Sequence, residues 1–213
     1  MIPEAAITHW RNVVPWPQDA QVEQDLILSR ALVEIFQEPI LSKALLLRGG
    51  TALYKLFVTP PRRYSEDIDL VQASSGPIRP VLDAIRARLD PVLGAPLWER
   101  SRDSVTLRYR MESEIPPVTH LRLKVEINTR EHFSVFGAAP RSFSIRSPWF
   151  EGRAEIQTYT MDELLATKLR RWSDGELRDR SCEVISGSAT WAWPAGAEPQ
   201  RTRSAWILSS DRT

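Results

Sequence analysis

Two short motifs that follow one another, Gly49-Gly50-Thr51 and Asp67-Ile68-Asp69, constrain the fold of this chain more than any other part of its sequence. The glycine turn opens an apolar segment with helical spacing. Backbone N–H groups at such a helix start, together with the Thr51 hydroxyl, suit a bound phosphate. Asp67 and Asp69 lie in a segment that reads as a β-strand. A period of two places both carboxylates on one face of that strand, opposite the apolar side chains of Ile68 and Leu70.

The spacing of the two aspartates predicts a cation site. Two neighbouring carboxylates repel each other unless a cation lies between them. Hard divalent ions such as Mg²⁺ or Mn²⁺ take carboxylate and phosphate oxygens together. The glycine turn and the paired aspartates therefore predict the metal- and NTP-binding part of a nucleotidyltransferase. The alternatives are a plain helix-start turn at Gly49 and Gly50 and a solvated strand end at Asp67 and Asp69.

Composition sets the class of protein. A chain of 213 residues with 42% hydrophobic content has enough apolar residues for a core, in one domain or slightly more. Its net charge of +1 gives no global field for a nucleic-acid partner. A single cysteine, Cys182, excludes an internal disulfide and suits a reducing cytoplasm. The sequence contains neither an apolar run of bilayer-spanning length nor a signal-peptide pattern, so we expect a cytoplasmic protein with no membrane partner.

Periodicity and turn residues predict an α+β fold, with a small mixed sheet flanked by helices. Pro and Trp residues over 1–18 predict an irregular N-terminal arm. Helices are expected over 19–36, with Asp19 as N-cap, over 51–58 and 78–93, and after Thr160, where Glu163 completes a capping box. Strands are expected over 65–72, 105–111, 121–128 and 157–159, and the segment 44–47 is a strand or a helix end.

Five motifs in order carry a resemblance to a known family. They are Gln24-Asp25 with the apolar helix after it, the glycine turn, Arg63-Tyr64-Ser65-Glu66 running into the aspartate pair, and the later segments 123–128 and 163–170. Together they resemble the DNA polymerase β-type nucleotidyltransferases, and within these the AbiEii/AbiGii toxins of type IV toxin–antitoxin and abortive-infection systems. The resemblance covers about residues 20–171.

The resemblance implies a polymerase β-type fold and transfer of a nucleoside monophosphate from an NTP to a hydroxyl. A site of this type needs a third carboxylate from a neighbouring strand, which Glu126 supplies as a further metal ligand and catalytic residue. Lys168 matches a family lysine and is expected to bind nucleotide phosphate. The alternatives are an exposed Glu126 paired with Lys124 and a surface lysine at position 168.

The resemblance also implies partners. It predicts a toxin that modifies tRNA and is countered by an antitoxin encoded by a neighbouring gene. A protein hydroxyl is another acceptor within the family. Two rival interpretations come from other classes, namely a nucleotidyltransferase that modifies small molecules such as antibiotics, and a catalytically impaired remnant that only binds nucleotide.

The C-terminal part departs from the family pattern. We divide the chain into an arm over 1–18, a nucleotidyltransferase core over 19–157, the start of a helical part over 158–171 and an atypical tail over 172–213. Family members carry an Arg-Gly-Arg-Asp-Leu-type segment with a further functional aspartate, and this chain has none. We therefore expect a truncated or frame-shifted C-terminal part, a poorly ordered tail and weak catalysis.

Overall fold

A seven-stranded mixed sheet organises the part of the chain that the structure, a computed structural model, describes: residues 2–61 and 63–173. The strands are β1 (Leu45–Arg48), β2 (Asp67–Gln72), β3 (Leu97–Arg100), β4 (Ser104–Glu112), β5 (His120–Asn128), β6 (Ala138–Arg146) and β7 (Glu151–Tyr159). Their order across the sheet is β3-β4-β5-β2-β1-β7-β6. β2 runs parallel to β5 and β1 runs parallel to β7, whereas the other neighbours are antiparallel.

Six helices accompany the sheet in the described residues. They are α1 (Glu4–Arg11), α2 (Asp19–Gln37), α3 (Pro39–Ala44), α4 (Gly49–Leu56), α5 (Arg79–Leu93) and α6 (Met161–Ser173). Most of α2 is buried, because it contacts α1, α3 and α5 as well as strands β2, β5, β6 and β7. The apolar core lies between these helices and the sheet face that carries Ile68, Leu70, Val125 and Ile127. The predicted mixed sheet with flanking helices is confirmed.

The N-terminal segment differs from the prediction of an irregular arm over 1–18. Residues Glu4–Arg11 form α1, which buries Ala6, Ile7 and Trp10. Ile7 and Trp10 lie three positions apart on one helical face. The segment is too short for this spacing to show a clear helical period, and the prolines around it favoured an irregular structure. At the start of α2 the N-cap is Gln18, and Asp19, predicted as the cap, is the first helical residue.

Besides α1, three further elements were not predicted, and two of them are strands at the edges of the sheet. All four residues of β3 are exposed, and β6 buries only Ile145. An edge strand of this kind lacks the alternation of apolar and polar residues that marks a half-buried strand. Helix α3 was the third, and β7 is longer than the predicted strand over 157–159.

The backbone of α6 continues to Ser173, two residues past the predicted end of the helical part. Leu164 on this helix is buried, whereas Leu169 is exposed. The predicted atypical tail lies, from residue 174 onward, outside the described residues. No helix in the described part of the chain has the length and apolar character needed to cross a membrane.

Candidate functional site

Three carboxylates meet on one face of the sheet, across the parallel pair β2 and β5. Asp67 and Asp69 are partly exposed on β2, while the intervening Ile68 is fully buried. In the register of the two strands Asp69 stands opposite Glu126, and Asp67 stands opposite Lys124. Because opposite residues of neighbouring strands point to the same face, Glu126 lies beside the aspartate pair. The three acids predicted from the sequence thus lie on the same face of neighbouring strands.

The amino end of α4 packs against this acidic face. Arg48, the last residue of β1, is opposite Asp69, and the chain turns at once into the helix. Gly49 has a φ of 78°, and a Cβ placed there would lie 3.1 Å from both the Cβ and the Cγ of Asp69. Only glycine combines this backbone angle with such a close approach. The glycine turn therefore places the start of α4, whose first N–H groups have no partner within the helix, beside Asp69.

The Thr51 hydroxyl is bonded within the protein, and its predicted role in binding phosphate stays a prediction. Its side chain is buried, and its hydroxyl donates a hydrogen bond to the backbone oxygen of Asp67. The Ser65 hydroxyl lies 2.7 Å from the Thr51 oxygen and donates to it, because the only proton of Thr51 is already used. Thr51 therefore connects α4 to the start of β2, and its hydroxyl proton takes part in that contact.

The surroundings of Asp69 favour its neutral form. Burial raises the pKa of this carboxyl above its ordinary value, and the charge of Asp67 raises it further. Glu126 adds to this effect, while Lys124 and Arg48 oppose it. Repulsion by the two neighbouring acids thus adds to the effect of burial, and a bound cation would relieve that repulsion.

Lys124 lies within the acidic group. Its Nζ is 2.9 Å from Oε2 of Glu126 and 3.6 Å from Oδ2 of Asp67. The pairing with Glu126 that the sequence left as an alternative therefore occurs. Within 2–61 and 63–173, no three acidic, histidine or cysteine side chains converge closely enough to hold a metal ion jointly. Asp67 and Asp69 fit a divalent cation by their chemistry and shared face, whereas Glu126 joins them only if Lys124 moves.

The other predicted cation, Lys168, lies on α6 over helix α4. Its Nζ is 5.7 Å from the centroid of the Tyr54 ring. This contact places Lys168 against the helix that follows the glycine turn. Its role in binding phosphate stays a prediction.

Sequence reasoning gave no role to two residues that shape this site. Glu131 forms an ion pair with Arg48, just before the glycine turn. Asn128, at the end of β5, holds the intervening turn by accepting hydrogen bonds from the N–H groups of Arg130 and Glu131 at 2.9 and 2.8 Å. An Asn followed by polar residues after a strand is a recognisable turn signal. The contact between Glu131 in this turn and Arg48 depends on the order of the strands, which the sequence does not show.

A buried carboxylate on α2 holds the opposite side of α4. Asp25 accepts hydrogen bonds from the indole N–H groups of Trp10 at 2.9 Å and Trp16 at 3.0 Å. It also accepts one from Lys55 of α4 at 2.7 Å. The Trp16 ring in turn meets the edge of Tyr64, whose segment leads into β2. Asp25 thus joins the N-terminal segment, α2 and α4 in one polar cluster.

Comparison with known proteins agrees with this arrangement. A sequence-family model described as "Nucleotidyl transferase AbiEii toxin, Type IV TA system" matches residues 30–181. The chain belongs to the AbiEii family. The AbiEii match includes the glycine turn, the aspartate pair, Glu126 and Lys168, and it ends ten residues beyond Arg171. Among proteins with curated functions, none matches the chain significantly by sequence.

A solved structure with a TM-score above 0.5 shows the same fold as this AbiEii chain. MenT4, a nucleotidyltransferase toxin from Mycobacterium tuberculosis, is 18% identical with a TM-score of 0.55, over 81% of this chain and 59% of MenT4. JHP933 from Helicobacter pylori is 17% identical with a TM-score of 0.49, over 71% of this chain and 57% of its own. The predicted nucleotidyltransferase fold is confirmed. The chain spans just under three fifths of the length of these structures.

Proposed function

We propose that this AbiEii-family chain is a metal-dependent nucleotidyltransferase that moves a nucleoside monophosphate from an NTP to a hydroxyl of tRNA. The observation that carries the proposal is the approach of Gly49 to Asp69, which sets a helix amino end against paired aspartates on one strand face. Helix-start N–H groups bind phosphate, and carboxylates bind divalent cations. A metal-bound triphosphate needs both of these groups side by side.

The site would act mainly by position and charge. Asp67 and Asp69 would hold Mg²⁺ or Mn²⁺, which supplies Lewis-acid stabilisation of charge on the phosphate oxygens. The N–H groups of Gly49 and Gly50 would hold the triphosphate. An acceptor oxygen would then bond to the α-phosphorus as the bond to the leaving oxygen breaks, and pyrophosphate would depart. Glu126, opposite Asp69, is placed to take the proton of the acceptor hydroxyl.

Lys168 would add a positive charge from the side of α4. Its ammonium lies over the ring of Tyr54, which belongs to the helix that starts at the glycine turn. A lysine ammonium binds phosphate as a point charge, without the fixed geometry of arginine. The toxin role and an antitoxin partner from a neighbouring gene complete the proposal, and both are supported by family membership. The tRNA acceptor is the part that the transfer assay decides.

Transfer of label from an NTP tests the proposal. The purified chain is incubated with each NTP, radiolabelled at the α-phosphate, with Mg²⁺ and deacylated tRNA. We expect label in the RNA, and none when the tRNA has first been oxidised with periodate to destroy its terminal hydroxyls. Asp67→Asn and Asp69→Asn should abolish transfer, whereas Asp83→Asn, an exposed acid on α5 paired with Arg79, should not.

The same assay separates the rival functions. Label that enters an aminoglycoside and not tRNA would indicate a nucleotidyltransferase that acts on small molecules. Label that enters a protein would show that the acceptor is a protein hydroxyl and not tRNA. If the chain binds NTP but transfers nothing to any acceptor, it is a catalytically impaired member of the family, and the proposed activity is wrong.

A further inference from the structure

Lys124 stands at the centre of the acidic group, in a position fixed by the register of two strands. It is opposite Asp67 across the β2–β5 pair, and it shares its face of β5 with Glu126, two residues later. Asp67, Asp69, Lys124 and Glu126 thus form a block of four side chains, two from each strand. The block contains three carboxylates and one cation, and the ammonium of Lys124 contacts two of the three acids.

The neighbouring cations are directed to other acids. Arg108 on β4 stands opposite Lys124 and binds Glu99 of β3 at 2.7 Å. Arg48 beside Asp69 binds Glu131. Each of these arginines therefore has a partner outside the block, whereas Lys124 has its partners inside it.

If Glu126 joins Asp67 and Asp69 as a third metal ligand, as the sequence predicts, the cation needs the Asp67 and Glu126 oxygens that face the Lys124 ammonium. Two positive ions repel strongly at such separations, especially near a partly desolvated surface. Lysine has a flexible four-carbon stem, so its ammonium can withdraw without a change in the backbone. Metal binding and the Lys124 ion pairs are therefore alternatives for the same carboxylates.

We propose that Lys124 is a built-in counter-cation that holds Asp67 and Glu126 together in the metal-free protein and competes with the divalent metal for them. Lys124 is thus a positioning residue that sets how tightly the site binds metal, and it opposes metal binding. This inference rests on the proposed metal-dependent function. It predicts that removal of the ammonium strengthens metal binding, the opposite of what loss of a binding residue would do.

A matched pair of variants on one strand tests this. Lys124→Met removes the ammonium and keeps most of the stem. Arg122→Met, two residues earlier on the same face of β5, removes the same charge two residues farther from Glu126. Mn²⁺ binding to each full-length chain is measured by calorimetry without nucleotide. We expect binding about tenfold tighter in Lys124→Met, a difference of about 1.4 kcal/mol, and little change in Arg122→Met.

The outcomes separate the two proposals. Equal or weaker Mn²⁺ binding in Lys124→Met than in the wild type overturns the role of Lys124 and leaves the metal site intact. Equal strengthening in both variants overturns it also, because it shows a general effect of charge. Absence of Mn²⁺ binding in all three proteins overturns the metal-dependent function together with this inference.

A measurement on the wild-type chain covers the case in which Lys124→Met does not fold. Acetic anhydride acetylates free lysine amines, and mass spectrometry reports the rate at each position. Mg²⁺ should speed acetylation of Lys124 relative to the exposed Lys43, because the displaced ammonium leaves its ion pairs. If Mg²⁺ at saturating concentration leaves the rate at Lys124 unchanged or slows it, the ammonium is not displaced and the inference is wrong.

Discussion

Gly49 packs so closely against Asp69 that position 49 has no room for a side chain. A Cβ there would lie 3.1 Å from the Cβ and Cγ of Asp69, and still closer to one carboxylate oxygen. The same residue has a positive φ, which L side chains rarely adopt. The helix that starts at the glycine turn and the strand that carries the aspartates are therefore fitted to each other at this one contact.

Gly49→Ala should therefore destabilise the fold and disable the site. We expect a loss of about 1–3 kcal/mol in the free energy of unfolding from the backbone angle alone, measured by urea titration. Gly50→Ala is the matched control, because a Cβ at position 50 would meet only the Ser65 hydroxyl, at 3.5 Å. It should be neutral or stabilising by up to about 1 kcal/mol. Equal losses in both variants would contradict the close approach to Asp69.

The glycine turn and the aspartate pair could be predicted from the sequence, because the patterns that indicate them span only a few neighbouring residues. The glycine turn, the helix after it and the alternation around Asp67 and Asp69 each depend on residues a few positions apart. The pairing of β2 with β5 depends on residues far apart in the chain. The contact between Lys124 and Asp67 follows from that register, so the sequence indicated the lysine only as a partner of Glu126.

Thr51 shows a different limit of sequence reasoning. A hydroxyl after two glycines resembles a phosphate donor, yet packing decides which way it points. Here the side chain is buried and bonds to the backbone of Asp67. A hydroxyl residue that connects two elements and one that contacts a ligand can stand in the same sequence pattern. Only the contacts of the side chain in the folded protein distinguish the two roles.

The stability of the metal-free protein should depend on the ionisation of Asp69. Burial, and then the charge of Asp67, raise the pKa of this carboxyl above its ordinary value of 3.8. The folded chain then binds the proton more tightly than the unfolded chain does. Its contribution to stability is fully present below the unfolded pKa and is lost as the pH rises through the folded pKa.

Asp69→Asn removes this dependence. In EDTA the variant should gain stability relative to the wild type as the pH rises from about 4, with a slope of at most about 1.4 kcal/mol per pH unit between the two pKa values. Urea titrations from acidic to neutral pH measure the difference, and Asp83→Asn on α5 serves as a control. A difference between variant and wild type that is constant across this range would show that the pKa of Asp69 is not raised.

Asp25 should contribute more to stability than any exposed acid of this chain. It is buried and accepts hydrogen bonds from Trp10, Trp16 and Lys55. Asp25→Ala leaves these donors, including a charged ammonium, without their acceptor, at a cost of about 3–5 kcal/mol. Asp83→Ala, which breaks an exposed pair with Arg79, should change the free energy of unfolding by less than about 1 kcal/mol.

The result for Asp25 also bears on the N-terminal segment. Trp16→Phe removes one indole donor and keeps most of the ring, so it should cost about 1.5–3 kcal/mol, the range for a hydrogen bond to a charged group. If Asp25→Ala is no worse than Trp16→Phe in thermal or urea unfolding, the cluster does not hold α4 to α2 in the way that the contacts indicate.

Glu163 should order the loop before β6 and not the start of its own helix. The Glu163 N–H donates to the Thr160 hydroxyl at 3.4 Å, which is one half of the predicted capping box. Its carboxylate turns away from the helix and accepts hydrogen bonds from the Ser134 hydroxyl and the N–H groups of Val135 and Phe136. The prediction of a reciprocal capping box is therefore wrong in its second half, because three donors of the loop take the carboxylate.

Glu163→Ala should release that loop while α6 stays folded. Hydrogen exchange, read by mass spectrometry, should quicken at the Val135 and Phe136 amides, since each loses its acceptor. Glu155→Ala, an exposed acid on β7 beside Arg153, is the control and should leave these amides unchanged. Because Phe133 and Phe136 are exposed in the same loop, its release should also increase cleavage by chymotrypsin there. If exchange becomes faster throughout α6 and stays unchanged at Val135, the Glu163 carboxylate caps its own helix and does not order the loop.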